Sequence, residues 1–201
     1  CSAMCAKSSS ISGIENSLAT EGLEANTMKT VVTDLMQESA QLLVQLSGAK
    51  GYRTSHIGGR GIMDSRPFQI FEGSNEMLYA QIGEMIIKGM KKQKQPQLYQ
   101  YLKEFPLTVK SADYFKAELS FAPEEQLAQR KLVDLGRIVA RIICVGYVID
   151  LSEKGFRKEL VENCIVMLQQ EVASLITSLR FTNKVIEVSD YHMDSLWLDF
   201  A

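Results

Sequence analysis

Apolar residues recur along this chain at three- and four-residue spacings, the signature of helices with one face turned inward. Met28, Val31, Val32, Leu35, Met36, Ala40, Leu43 and Leu46 mark one stripe, beginning near Ala25 and stopped by Gly48. A second pattern runs from Ser74 to about Lys92 and puts Met77, Ala80, Gln81, Met85 and Ile86 on the inward face. Pro123, Glu124 and Glu125 read as the first turn of a long helix, with proline pre-set at the start and acids facing the dipole. Ala128, Leu132, Leu135, Val139, Ile142 and Ile149 continue its stripe, and Gly155 stops it. Val161, Cys164, Ile165, Leu168, Val172, Leu175, Ile176 and Leu179 mark the next helix. A shorter one fills roughly 108–119.

The connections carry their own signals. Residues 49–66 are glycine-rich and aperiodic, with Gly58, Gly59 and Gly61 reading as flexible loop. Residues 93–106, with Pro96 and Pro106, read as a linker. The run SSSISG makes the opening helix poor by propensity, and ENSLATEGLEAN reads as a turn after it. The tail from Thr182, with the lone Trp197, is ambiguous. The expectation is an all-α chain. A partial helical bundle covers residues 1–92, a linker 93–106, and a second antiparallel helical unit 107–201.

Composition narrows the chemistry. At 201 residues and 46% hydrophobic content, the chain can bury a substantial core. Its net charge of −2 comes from interspersed acids and bases, which argues against nucleic acid as a partner. Lys88, Lys91, Lys92 and Lys94 read as cations complementing a helix C-terminus, with a membrane-surface or partner patch as the alternative. Cys1, Cys5, Cys144 and Cys164 lack metal-ligand spacing, and only His56 and His192 are histidines, so no metal site is expected. Those thiols, with no export signal in view, point to a reducing, cytoplasmic setting. No apolar run is long enough to span a membrane. The chain opens on Cys1 rather than Met, which reads as a piece of a longer protein.

The segment richest in chemistry is DSRPFQIFEGSNEM, residues 64–77. Glu72 sits between an apolar run and a Gly-Ser-Asn turn opening onto a helix, where backbone donors and a helix N-terminus converge. That is a sensible place for a proton-abstracting base. The bland alternatives are a carboxylate serving only the helix dipole, and capping chemistry at Ser74 and Glu76.

Lys29, the run QLSGAKGY beginning at Gln45, Asp64, and FEGSNE around Glu72 together resemble the C-terminal helical domain of acyl-CoA dehydrogenases, over about residues 25–90. Order and spacing carry the likeness, including twenty-seven residues from Gln45 to Glu72. The resemblance implies that Glu72 is the catalytic base taking the α-proton of an acyl-CoA while a β-hydride passes to FAD. It implies substrate contact at Glu72 and Gly73, with the backbone N–H of Glu72 facing the thioester oxygen. It implies FAD contacts at Ser74 and Glu76. Gln45, Gly48 and Ala49 match the turn that meets the adenosine end of an FAD bound mainly by a neighbouring subunit.

Two positions depart from the family pattern: Ala49 replaces a second glycine, and Met63-Asp64 replaces Arg-Asp, with Arg60 and Arg66 nearby. The implied partners are an acyl-CoA substrate, an electron-transfer flavoprotein, and further copies of the chain in a dimer or tetramer. The family's upstream helical and β-domains are expected in a longer parent, and the helical stretch after the signature in an extension of the kind larger members carry. The fragment alone is expected to be inactive. An acyl-CoA oxidase-like flavoprotein and a non-catalytic helical oligomerisation module are the other readings.

Overall fold

A computed structural model describes residues 1–11, 22–124 and 126–181. The expected tail from Thr182, including His192 and Trp197, lies outside these residues, as do Glu125 and residues 15–21 of the expected turn ENSLATEGLEAN. Among the described residues the fold is all-α: α1 (Ser2–Ile11), α2 (Gly22–Ser47), α3 (Ile57–Ser65), α4 (Asn75–Gln93), α5 (Leu98–Glu104), α6 (Lys116–Leu119), α7 (Gln129–Glu153) and α8 (Lys158–Arg180). Short 3-10 turns at Gly48–Lys50, Arg66–Gln69 and Ala112–Phe115 join them.

The long helix α7 is the centre of the packing. It lies against α4 on one side and α8 on another, with α1 also on it. Its residues from Val133 to Val148 are buried apart from Arg137, so it is enclosed around nearly its whole circumference rather than along one stripe. A single cluster of buried apolar residues runs from Ala3 and Met4 to Leu179. The helix α8 buries Val161, Ile165, Leu168, Val172, Ile176 and Leu179, the spacing its sequence predicts. Gly155, at φ +88°, turns the chain between α7 and α8.

Several elements differ from the sequence reading, each for a physical reason. The helix α1 forms despite its serines, because Ala3 and Met4 are buried and the Ser9 hydroxyl returns a bond to the Cys5 carbonyl at 2.9 Å. The glycine-rich stretch contains a helix, α3, whose N-cap is His56; the imidazole Nδ1 accepts from the Gly58 N–H at 3.1 Å. Gly58 is buried against α2, where a Cβ would come within 3.1 Å of Val44 Cγ2. Glycine there serves close packing rather than flexibility.

The stretch 93–106 holds α5, whose Leu98 and Leu102 are fully buried in the shared core. The helix α7 starts at Gln129 rather than at Pro123. Glu124 still reaches it, pairing with Lys131 at 2.9 Å.

The inward faces of α2 and α4 are also corrected. On α4 the buried residues are Asn75, Leu78, Tyr79, Ile82, Gly83, Ile86 and Met90, while Met77, Gln81 and Met85 are exposed. On α2, Val31 is buried and Met28, Val32 and Leu35 are partly so, but Met36, Leu43 and Leu46 are exposed. Thr27, Thr30, Thr33 and Gln37 take the inner positions instead. Thr30 and Thr33 donate their hydroxyls to the carbonyls of Asn26 and Lys29, at 2.7 and 2.8 Å, so they enter the interior already satisfied.

Candidate active site at the start of α4

The Glu72 segment begins as the 3-10 turn Arg66–Gln69, where Pro67 accepts from the N–H groups of Ile70 and Phe71 at 3.0 and 2.9 Å. The backbone then reverses through two left-handed residues, Glu72 at φ +57° and Gly73 at φ +95°. Glycine takes that conformation freely, whereas Glu72 gives up about 1–2 kcal/mol to hold it. Such a residue persists only where its surroundings over-determine it. Ser74 closes the turn as the N-cap of α4, its Oγ accepting from the Met77 N–H at 3.3 Å. Glu72 is exposed, next to the positive end of a nineteen-residue helix.

What holds the turn comes from α2. Lys29 Nζ donates to the Gly73 carbonyl at 2.8 Å and to Asn75 Oδ1 at 2.7 Å. Asn75 is buried and gives its Nδ2 to Asp34 Oδ1 at 2.6 Å, Thr33 Oγ1 at 2.9 Å and the Thr30 carbonyl at 3.2 Å. Asp34 also accepts from Gln69 Nε2 and from the Tyr79 hydroxyl, both at 2.8 Å. Arg141 of α7 donates to the Tyr79 oxygen at 2.5 Å and to Glu171 of α8 at 2.8 Å. One polar chain therefore runs from the Glu72 turn through α2 and α4 to α7 and α8. Its members are part-buried or buried, where an unmatched polar group would be expensive.

The charges follow from that geometry. Burial lowers the Lys29 pKa, opposed by the carboxylates of Asp34, Glu72 and Glu76. Burial raises that of Tyr79; Arg141 works against the rise and Asp34 adds to it. Arg141 is only 6% exposed, and its cation is met by Glu171 and, at 3.9 Å, by Asp34.

The other expected site residues divide into two groups. Ser74 and Glu76 stand beside Glu72 on α4. Ser74 Oγ already accepts the cap bond but keeps its O–H to donate, and Glu76 pairs with Arg137 of α7 at 3.5 Å. Gln45, Gly48 and Ala49 are exposed at the other end of α2, sixteen residues or more beyond Lys29, about 24 Å along a helix axis. Gly48 is left-handed at φ +57°, so a side chain there would be strained.

Gln45, Gly48, Ala49 and Glu76 are exposed and Ser74 is half-buried, so either group offers a cofactor such as FAD an edge contact and neither encloses it. A recess of about 500 Å³ lies elsewhere, at the far end of α4, between Met90, Lys94, Pro96 and Pro123.

Asp34, Tyr79, Arg141 and Glu171 are not among the site residues that the sequence points to, and Asn75 enters there only as part of the Gly-Ser-Asn turn. One signal was there to find: Arg141 is a lone cation within the apolar run IVARIICV, and a charge so enclosed needs partners.

Among known proteins, no curated sequence matches the chain. Residues 5–87 match the family described as acyl-CoA dehydrogenase, C-terminal domain. The match starts upstream of the stretch that carries the motifs, within α1, and ends in α4. The Glu72 turn and its Lys29 support lie inside the region that is similar to this family, and α5 to α8 lie beyond it.

Proposed function

We propose that this chain is the C-terminal part of an FAD-dependent acyl-CoA dehydrogenase, with Glu72 as the base that removes the α-proton of the acyl-CoA. The observation that carries the reading is Glu72 itself. It is a solvent-facing carboxylate held in a left-handed turn at a helix N-terminus, inside the family-matched region. Bound FAD supplies the acceptor for the β-hydride. The chain's own part is to place a carboxylate oxygen against the substrate Cα and to offer the Glu72 N–H to the thioester oxygen, where negative charge develops as the proton leaves. Gly73 adds no side chain, which lets the substrate approach the backbone.

Ser74 and Glu76 are the proposed FAD contacts near the base, and Gln45, Gly48 and Ala49 those at the adenosine end. Their separation along α2 supports the second set serving the FAD of a neighbouring copy, hence a homo-oligomer. The exposed apolar residues Leu46, Tyr52, Ile57, Met63 and Phe68 favour the same association. Residues 107–201 are read as a helical extension of the catalytic part. An electron-transfer flavoprotein is the proposed electron acceptor and a cytoplasmic setting the proposed location, in keeping with four free thiols. No helix among the described residues is long and apolar enough to cross a membrane.

The test is anaerobic titration of the FAD-loaded, full-length flavoprotein with acyl-CoAs of several chain lengths. The flavin absorbance bleaches in the wild type, and Glu72→Gln slows bleaching by about 10²–10⁴-fold, the usual contribution of a general base. Bleaching indifferent to Glu72, or no flavin retained at all, rejects the reading. Hydrogen peroxide formed at the rate of turnover in air would instead identify an oxidase.

A further inference from the structure

We propose that Lys29 is a positioning residue for the Glu72 turn, its ammonium clamping the left-handed backbone from the side of α2. The functional meaning of the clamp rests on Glu72 being the base; its structural reality does not. Three observations carry it.

First, the turn holds a non-glycine residue at φ +57° followed by Gly73 at φ +95°, a pair that relaxes unless held. Its upstream end is tied by the two bonds to the Pro67 carbonyl. Second, Lys29 grips the downstream end twice, at the Gly73 carbonyl and at Asn75 Oδ1, with one acceptor on each side of Ser74. The ammonium has three rotatable donors on a compact head, which suits two acceptors on different groups. Third, the second acceptor is itself immobile. Asn75 is 2% exposed, and its amide is held by Thr30, Thr33 and Asp34, with Asp34 fixed in turn by Gln69 and Tyr79. Lys29 thus ties the exposed turn to a buried, rigid array.

Without the ammonium, the Gly73 carbonyl turns to solvent and Glu72 leaves the left-handed region for commoner backbone. The carboxylate then samples many positions, and a reactive geometry is rarely met.

The test is backbone ¹⁵N relaxation on the 201-residue chain, read without flavin or substrate. Wild-type order parameters at Glu72 and Gly73 should be those of rigid backbone, about 0.85, and should fall below about 0.6 in Lys29→Met. Ile138 to Val145 in α7 should keep their values. Lys29→Arg, which retains a cation with N–H donors, should recover at least half of the lost order, and it carries the test if Lys29→Met does not fold.

A turn that is loose in the wild type, or that stays ordered in Lys29→Met, overturns the proposal. So does a loss of order spread evenly over α7. In the FAD-loaded flavoprotein, Lys29→Met should lower kcat at least tenfold with KM and flavin content unchanged; a change confined to KM overturns the positioning role. If Glu72→Gln leaves turnover intact, the base assignment falls while the relaxation result still decides the clamp.

Discussion

Gly136 of α7 lies so close to Tyr79 of α4 that a Cβ on the glycine would overlap the Tyr79 carbonyl oxygen. One turn along α4, Gly83 stands in the same relation to the carbonyl of Leu132. Two helices approach this closely only where side chains are absent, and the approach brings Arg141 within reach of the Tyr79 hydroxyl. The contact that carries α7 to the candidate site therefore depends on a missing methyl group.

Gly136→Ala should accordingly destabilise the chain by roughly 3 kcal/mol or more, at the upper end of overpacking effects. Gly61→Ala is the control. It sits in α3 with only the Ala40 Cβ at 3.4 Å, and a helical Ala there should be neutral or stabilising by up to about 1 kcal/mol. Urea unfolding of the two variants checks this; equal stability of both would refute the close-approach argument.

Glu72 is expected to trade stability for position. Glu72→Gly removes the left-handed penalty and should raise stability by up to about 1 kcal/mol, or about 2–4 °C in Tm for a chain of this size. The same change should abolish flavin bleaching in the full flavoprotein. A fall in Tm would show that the Glu72 side chain makes a stabilising contact outweighing its backbone strain.

Arg141→Met should cost roughly 3 kcal/mol, because it leaves Asp34 and Glu171 without their shared cation and the Tyr79 oxygen without its donor. Glu171→Gln should cost much less, since Glu171 is about one-third exposed at 35% and water can replace the pair. Chemical denaturation of the two variants separates them. Similar losses in both would mean that the network acts as surface charge rather than as a buried unit.

Alkaline pH should weaken the fold from about pH 9 upward. Burial pushes the Cys144 thiol from its ordinary 9.0 up to about 12. Burial, followed by the hydrogen bond to Glu24, also raises Tyr147 well above its usual value. Each group is raised on folding, so its contribution is complete below the unfolded value and disappears as pH climbs through the folded one. Between those limits each group removes up to about 1.4 kcal/mol per pH unit. Unfolding curves from pH 7 to 10.5 measure this. In the native chain at pH 8, a thiol reagent should modify the exposed Cys1 and Cys5 first and leave Cys144 untouched until unfolding. Equal rates at Cys144 and Cys1 would contradict that burial.

Local sequence was enough for the all-α fold, the courses of α2, α4 and α8, the start of α4 at Ser74 and the presence of Glu72 before it. These are local matters. Periodicity, an N-cap serine and a Gly after a carboxylate act within one or two turns of chain. The glycine-rich α3 was not legible, because its glycines favour helix only once α2 lies against them.

The inward face of α4 was not legible either. Neighbouring positions differ little in hydropathy, and the choice of Tyr79 and Ile82 over Met77 and Met85 was made by α7 arriving from more than fifty residues away. The support of the candidate site belongs to the same class. Lys29 meets Gly73 across 44 residues and Arg141 meets Tyr79 across 62. A polar residue in an apolar stripe signals only that a partner must exist; tertiary packing, by desolvating both groups together, decides which partner it is.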